Sequence, residues 1–326
     1  MSKRALLIGI DDYTHISKLH SCVGDAIKMS QILQRNEDGS TNFECILNRS
    51  VCTSADLHNA ARTLFEGEGD TALFYFSGHG TRDENNCYLV PADAQSCAEC
   101  FSLTTLLQLV NHSKFRNRIV ILDSCFSGEM GNATITQPDC GTAAINSGVT
   151  ILTSCRPSET AIATRNGSLF TNLLLEALRG GAADVLGRIT SGSIYAYIDK
   201  ALGAWDQRPL YKTNVCRFNI IRKVSPSVPE SILRNLTTYF QHESDDFYLN
   251  PSFEWTNDPT IKHELKEPYA DPGNVETFKA LQKLSYNGLV VPVDSPYMYN
   301  AAMESKSCRL TELGKQYWRL VNKERI

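Results

Sequence analysis

A thiol and an imidazole occupy matching positions in two segments of the sequence. Cys125 follows the apolar run 119–122 after two residues, and His79 follows the apolar run 73–76 in the same way. Fully buried parallel strands read as continuous apolar runs, and open α/β sheets place their reactive groups at the carboxyl ends of such strands. Neighbouring strands of this kind would hold the two groups side by side, as thiol-dependent acyl transfer requires.

Each group has a chemical role in that reaction. The thiolate of Cys125 attacks a carbonyl carbon, while His79 takes the thiol proton and returns it to the leaving group. The backbone N–H groups of Gly80 and Cys125 are predicted to bind the oxyanion, at about 2.7–4 kcal/mol per donor. Asp123 shares a strand face with Cys125, where its carboxylate would hinder thiolate formation. We therefore expect it to bind a cationic substrate side chain. A lone buried cysteine or a satisfied histidine is the ordinary alternative, but the matched positions favour the joint role.

The rest of the first 224 residues alternates strand and helix patterns, which predicts an α/β fold with a mainly parallel sheet and helices on both faces. Strands are predicted at 4–10, 43–47, 70–77, 88–90, 118–122, 149–153 and 215–221. Helices are predicted at 24–34, 54–66 with Ser54 as N-cap, 104–110, 168–179 and 189–202.

Composition excludes several classes of protein. The net charge of −4 gives no support for a polyanion-binding protein, and no apolar stretch reaches the roughly 18–20 residues needed to span a bilayer. Eleven scattered cysteines predict reduced thiols, and hence a cytoplasmic location. Cys97 and Cys100 are the only close pair, and a zinc or redox site there lacks a second pair.

The sequence changes character after residue 224. We predict one large α/β domain at 1–224, a linker with an acidic and aromatic segment at 225–273, and a small C-terminal α+β module at 274–326 that is winged-helix-like. Residues 228–326 carry about 14 acidic and 11 basic residues. A DNA-reading winged helix normally has a basic face, so a regulatory protein partner is favoured over nucleic acid.

The segments 75–80 (YFSGHG) and 123–128 (DSCFSG) resemble the catalytic signatures of the caspase-like cysteine peptidases, most closely the metacaspases and bacterial orthocaspases. Supporting resemblances lie at 5–13, 19–26, 89–93 and 151–171, so that the likeness covers about residues 4–223. Ser21 and Gly24 depart from the family pattern.

The resemblance implies a Cys125–His79 dyad and cleavage after Arg or Lys. The positions that match the family's primary specificity pocket are Cys22, Asp25, Ser77 and Asp123. Two carboxylates there would bind a guanidinium well and repel an Asp side chain. Asp25 also suits a second role as an acidic residue at a helix N-terminus, and the two roles are compatible.

The predicted function is a cysteine endopeptidase, regulated within a bacterial signalling, cell-death or defence pathway, with protein or peptide substrates. The alternative is a catalytically silent caspase-like adaptor, and ester or thioester hydrolysis is a minor variant. Some relatives need calcium. Asp93 is suitably placed, but the oxygen ligands after Cys125, Glu129 and Asn132, are too few for a dedicated site. We expect no metal and no cofactor.

Overall fold

The computed structural model of the chain describes residues 2–48, 51–83, 86–124, 145–154, 163–164, 167–202, 209–215, 219–260 and 265–326. They form two compact units, Met1–Ser225 and Pro226–Ile326.

The first unit alternates strands and helices. Its strands are β1 (Lys3–Gly9), β2 (Glu44–Asn48), β3 (Thr71–Ser77), β4 (Gly80–Arg82), β5 (Cys87–Leu89), β6 (Phe101–Ser102), β7 (Asn117–Asp123), β8 (Val149–Thr153), β9 (Ala163–Thr164), β10 (Gly167–Ser168), β11 (Arg188–Ile189), β12 (Leu210–Asn214) and β13 (Arg222–Lys223). Its helices are α1 (Cys22–Gln34), α2 (Ser54–Phe65), α3 (Leu103–His112), α4 (Leu169–Glu176), extended by a wider turn at Ala177–Gly181, and α5 (Ser191–Leu202); a 3-10 turn covers Cys97–Glu99.

Six strands form the central sheet in the order β12–β8–β7–β3–β1–β2. All pairs are parallel except that of the edge strand β12 with β8. The predicted mainly parallel sheet is therefore confirmed. Gly9 pairs with Ser77, and Ser77 pairs with Asp123, so the carboxyl ends of β1, β3 and β7 lie level at one edge.

Helices cover both faces of this sheet, as predicted. On β1, Leu6 faces one core, which includes Leu57 of α2 and Val110 of α3. Leu7 faces the other core, which includes Leu174 of α4 and Ile198 of α5. Because successive strand residues point to opposite faces, two apolar cores require the continuous apolar runs seen in the sequence.

Two local predictions were wrong. The N-cap of α2 is Thr53, whose side chain accepts from the Asp56 N–H while Asp56 bonds back to Thr53; this reciprocal capping box satisfies two helix-end donors, so the helix starts at Ser54. The last strand of the sheet is β12, at Leu210–Asn214 instead of 215–221. Residues 216–218 of the predicted strand lie outside the described residues. At its end, the Ile221 N–H donates to the carbonyl of Ile189, beside the β11–β13 pair.

The second unit has its own sheet and core. Its elements are α6 (Glu230–Arg234), α7 (Leu236–Tyr239), β14 (Asp246–Tyr248), a 3-10 turn (Pro251–Phe253), α8 (Pro272–Tyr286), β15 (Val290–Val293), α9 (Met298–Met303), β16 (Ser307–Leu310) and α10 (Glu312–Asn322). The strand order is β14–β16–β15. Since β14 pairs with β16, the segment predicted as a linker contributes a strand to the C-terminal sheet. The winged-helix likeness of this unit stays a prediction.

Candidate functional site

The level strand ends of β1, β3 and β7 bring the predicted site residues to one edge of the sheet. His79 stands between the end of β3 and the start of β4, and the Gly78 N–H before it donates to the Asp123 carbonyl at 3.3 Å. Gly80 is buried at the start of β4. Cys125, two residues past the end of β7, lies outside the described residues.

His79 is held by the loop of residues 11–19, which follows β1. The His79 backbone N–H donates to the Tyr13 hydroxyl at 2.8 Å. The two rings meet edge to face, with centroids 4.7 Å apart. On the far side of the loop, the Ser17 carbonyl lies 2.8 Å from His79 Nε2. Three contacts from one loop therefore fix the imidazole.

The Ser17 contact shows which nitrogen of the His79 ring carries a hydrogen. A carbonyl oxygen only accepts hydrogen bonds, so Nε2 carries the proton that it receives. In a neutral imidazole the other nitrogen, Nδ1, then holds the free lone pair. His79 is half-buried, so this nitrogen belongs to a ring that solvent reaches. The loop thus prepares the imidazole to accept one proton at Nδ1.

A cluster of buried carboxylates lies at the same edge. Asp25 of α1 has no exposed surface, and Asp123 at the end of β7 is 5% exposed. The N-terminal turn of α4 bonds to both: the Ser168 N–H donates to Asp25 at 3.0 Å, and the Thr171 hydroxyl donates to Asp123 at 2.6 Å. Lys28 adds an ion pair with Asp25 at 3.4 Å. A helix N-terminus and one ammonium group therefore stabilise this acidic pair.

Burial sets the ionisation of the acidic pair. It raises the pKa of Asp123 to about 6, against the opposing hydrogen bond from Thr171, and the nearby Asp25 carboxylate raises that pKa further. Burial also raises the pKa of Asp25, although its bond from the Ser168 N–H and the charge of Lys28 oppose the shift. Burial disfavours the negative charge of both carboxylates, and a cation beside them would stabilise it. Lys28 supplies one such cation, beside Asp25.

Cys22 and Ser77 complete this cluster. Ser77 hydrogen-bonds to the Cys22 sulfur, yet burial together with nearby carboxylates raises the pKa of that thiol to about 12. Cys22 is therefore a neutral thiol at physiological pH and unsuited to act as a nucleophile. All four residues predicted for the specificity pocket thus lie in one polar cluster, and one of them, Ser77, stands two residues before His79.

Sequence reasoning missed several partners of these groups. Tyr13, Lys28 and Thr171 contact His79, Asp25 and Asp123 respectively. The i,i+3 spacing on α1 was an available signal for Lys28. The other two belong to distant parts of the sequence and carried no local signal.

Cys97 and Cys100 are not joined by a disulfide. Within the described ranges, no group of three or more His, Cys, Asp or Glu side chains converges as a metal site would require. Nor does any helix in those ranges have the length and apolar character needed to cross a membrane.

A family model described as "Caspase domain" matches residues 2–217. Among curated proteins, the chain is 26% identical over 176 residues to metacaspase-6 of Arabidopsis thaliana, covering 43% of this chain and 44% of that protein. It is 25% identical over 126 residues to the mouse homolog of mucosa-associated lymphoid tissue lymphoma translocation protein 1, and 26% over 128 residues to the human protein. Each of these matches covers 38% of this chain and only 15% of the relative.

Solved structures share the fold. Caspase-1 from Spodoptera frugiperda superposes with a TM-score of 0.51 at 15% identity, over 68% of this chain and 91% of that one. A protein of Geobacter sulfurreducens superposes with a TM-score of 0.50 at 17% identity, over 69% of this chain and 98% of its own.

Proposed function

Since the chain belongs to the caspase domain family, we propose that it is a cysteine endopeptidase that cleaves proteins after Arg or Lys with a Cys125–His79 dyad. The observation that carries the proposal is that the His79 imidazole and the buried carboxylates of Asp25 and Asp123 lie at the same edge of the sheet. His79 and Asp123 are linked there through the Gly78 N–H, which donates to the Asp123 carbonyl.

The reaction follows from these groups. The thiol proton of Cys125 passes to His79 Nδ1 as the sulfur attacks the carbonyl carbon of the scissile bond. Backbone N–H groups, which we assign to Gly80 and Cys125, bind the oxyanion. The leaving amine then takes the proton from His79 as the C–N bond breaks. Water finally hydrolyses the thioester and restores the thiol.

Selectivity for a cationic side chain rests on Asp25 and Asp123. Two carboxylates close together in a poorly solvated site favour a guanidinium, which can bond to both in a fork geometry. An acidic side chain would meet like charge in the same place. The proposal therefore predicts cleavage after Arg, weaker cleavage after Lys and none after Asp.

A peptide with Arg before a fluorogenic leaving group tests the proposal. The full chain should release the fluorophore, and the Cys125→Ala variant should not. Release that persists in Cys125→Ala would show a contaminating or different activity. A properly folded chain that spares every Arg and Lys peptide, with and without chelator, would instead support the silent adaptor. Retained activity in chelator is expected, because we propose no calcium requirement.

For the second unit we propose a regulatory role through a protein partner, within a cytoplasmic bacterial pathway of signalling, cell death or defence. Its support is a compact unit with a separate sheet and an acidic balance. A chain that ends at Ser225 should differ from the full chain in basal activity or partner binding. If peptidase activity, solubility and partner binding are all unchanged, the regulatory role is refuted.

A further inference from the structure

The segment that follows β1 contacts both halves of the candidate site. The Tyr13 hydroxyl accepts a hydrogen bond from the His79 N–H. Two residues earlier, the Asp11 carboxylate accepts one from the start of α1, the helix that carries Cys22 and Asp25. Neither residue lies in the catalytic or specificity positions described above. We propose that Asp11 and Tyr13 are positioning residues, Asp11 for the pocket that recognises the basic side chain and Tyr13 for the imidazole. This inference rests on the function proposed above.

Asp11 fixes the start of α1. Its two carboxylate oxygens accept from the N–H groups of Cys22 at 2.8 Å and Val23 at 3.2 Å. These are first-turn donors that lack helical partners, and a carboxylate satisfies them best. Ser21, the residue at the N-cap, makes no side-chain capping bond. Asp11 therefore caps α1 although it lies eleven positions before Cys22 in the sequence, and its carboxylate determines where the helix begins.

The packing around Asp11 leaves no freedom in that position. A Cβ at Gly9, at the end of β1, would lie 2.2 Å from the Cys22 carbonyl oxygen. The Leu19 N–H donates to the Asp11 carbonyl at 2.9 Å and closes the loop of residues 11–19. Because Asp25 lies one turn into α1, the position of this helix end decides where its carboxylate meets the substrate.

Tyr13 fixes the backbone that carries His79. Its hydroxyl accepts from the His79 N–H, and its side chain is only 3% exposed. A Cβ at Gly78 would lie 2.5 Å from that hydroxyl, so the glycine leaves space for the tyrosine. Burial raises the pKa of Tyr13, which keeps its hydroxyl protonated. It therefore acts through His79 by position and does not exchange protons in the reaction.

The inference has two arms, the contact of Tyr13 with His79 and the contact of Asp11 with α1. Each arm predicts its own kinetic effect in the full chain. Tyr13→Phe removes one acceptor while the ring stays, so kcat should fall about tenfold with KM unchanged. Asp11→Asn turns one of the two accepting oxygens into a donor that faces an N–H. It should raise KM for an Arg peptide about tenfold with kcat nearly unchanged. Tyr211→Phe, in the edge strand β12 where the hydroxyl bonds to Ser191, is the matched control for Tyr13→Phe. Asp70→Asn, just before β3 at the amino end of the sheet, is the control for Asp11→Asn. Both should equal the parent chain.

A neutral substrate separates positioning from general loosening of the fold. A peptide with citrulline in place of Arg is close in shape and lacks the charge. Asp11→Asn should reduce the preference for Arg over citrulline, and Tyr13→Phe should leave that ratio unchanged. Conversely, Tyr13→Phe should alter the pH profile of Cys125 alkylation by iodoacetamide, measured by peptide mapping, and Asp11→Asn should not.

Two outcomes with a parent chain that cleaves Arg peptides would overturn the inference. In the first, Tyr13→Phe and Asp11→Asn both have the kinetic constants of the parent chain. In the second, both variants lower kcat and raise KM to the same extent. If the parent chain cleaves none, the proposed function fails, and the alkylation profile still decides the Tyr13 arm. Should Tyr13→Phe fail to fold, Gly78→Ala tests the same contact from the other side. It should lower kcat with KM unchanged, and an unaltered kcat would overturn that arm.

Discussion

The imidazole and the carboxylates of the candidate site lie at one sheet edge but are held in opposite ways. His79 is half-buried, and its contacts are with a backbone carbonyl and a tyrosine. Asp25 and Asp123 are almost completely covered, and both accept a hydrogen bond from the start of α4. A group that exchanges protons must be reachable, whereas groups that select a charge act most strongly where water is excluded.

The burial of the carboxylates has a consequence for binding. Asp25 exposes no side-chain surface, so a substrate reaches its carboxylate only when part of the covering structure moves. A Cβ at Gly167 of β10 would lie 2.4 Å from Asp25, which shows how closely this strand covers it. We expect a bound guanidinium to displace part of that cover. The imidazole half of the site needs no such change.

Removal of the imidazole gives the largest expected effect. His79→Ala should lower kcat/KM for an Arg peptide at least about 1,000-fold, since general acid–base catalysis contributes roughly 10²–10⁴-fold. The melting temperature should change little because the side chain is half exposed. His112→Ala, on the exposed face of α3, is the control. If His79→Ala keeps more than a tenth of the parent activity, the dyad is wrong.

Neutralising the buried carboxylate should have the next largest effect. Asp123→Asn is expected to lower kcat/KM for Arg peptides about 100-fold, as the loss of a buried charge partner does. Alkylation of Cys125 should be at least as fast as in the parent chain, because a nearby carboxylate that disfavours the thiolate has been removed. Asp70→Asn, at the amino end of the same sheet, is the matched control. A variant that loses alkylation and peptide cleavage together would place Asp123 in catalysis instead of recognition.

The same variant should be more stable than the parent at neutral pH. The folded pKa of Asp123 is raised to about 6, so the folded chain binds this proton more tightly than the unfolded chain. Its contribution to stability is present at low pH and lost as pH rises through 6. Asp123→Asn should thus gain up to about 3 kcal/mol at pH 8. Urea unfolding measures this; an equal gain at pH 4 would contradict it.

Acid should weaken recognition before it unfolds the chain. Protonation of Asp123 below about pH 6 removes one of the two negative charges, so KM for Arg peptides should rise several-fold from pH 7.5 to 5. The Asp123→Asn variant should show a flatter KM profile over that range. Parallel profiles for the two proteins would exclude Asp123 as the titrating group.

The smallest expected effect concerns Lys28. Its ammonium neutralises part of the charge of Asp25 at 3.4 Å, and its side chain is 41% exposed, so screening keeps the effect small. Lys28→Gln should lower KM for Arg peptides about two-fold. Lys18→Gln, which breaks the exposed pair with Asp12, should leave KM unchanged. A higher KM in Lys28→Gln would mean that Lys28 orients Asp25 for binding.

The main elements of the sheet were predictable because their signal is local. The apolar runs before His79 and Cys125 have strand length, and the structure has β3 and β7 there. Strand β12 was missed because its sequence, LYKTN, is polar and half exposed at the sheet edge. Its assignment depends on pairing with β8, which no local pattern records.

The sequence by itself determined which reactive groups the chain has and that apolar strands end beside them. Only the tertiary structure decided what holds those groups, because their partners are remote along the chain. Ser17 and His79 are 62 positions apart, and Asp25 and Ser168 are 143 apart. Hydrogen-bond partners at such separations are chosen by strand order and helix packing, which place a loop, a helix end and two strand ends at one edge.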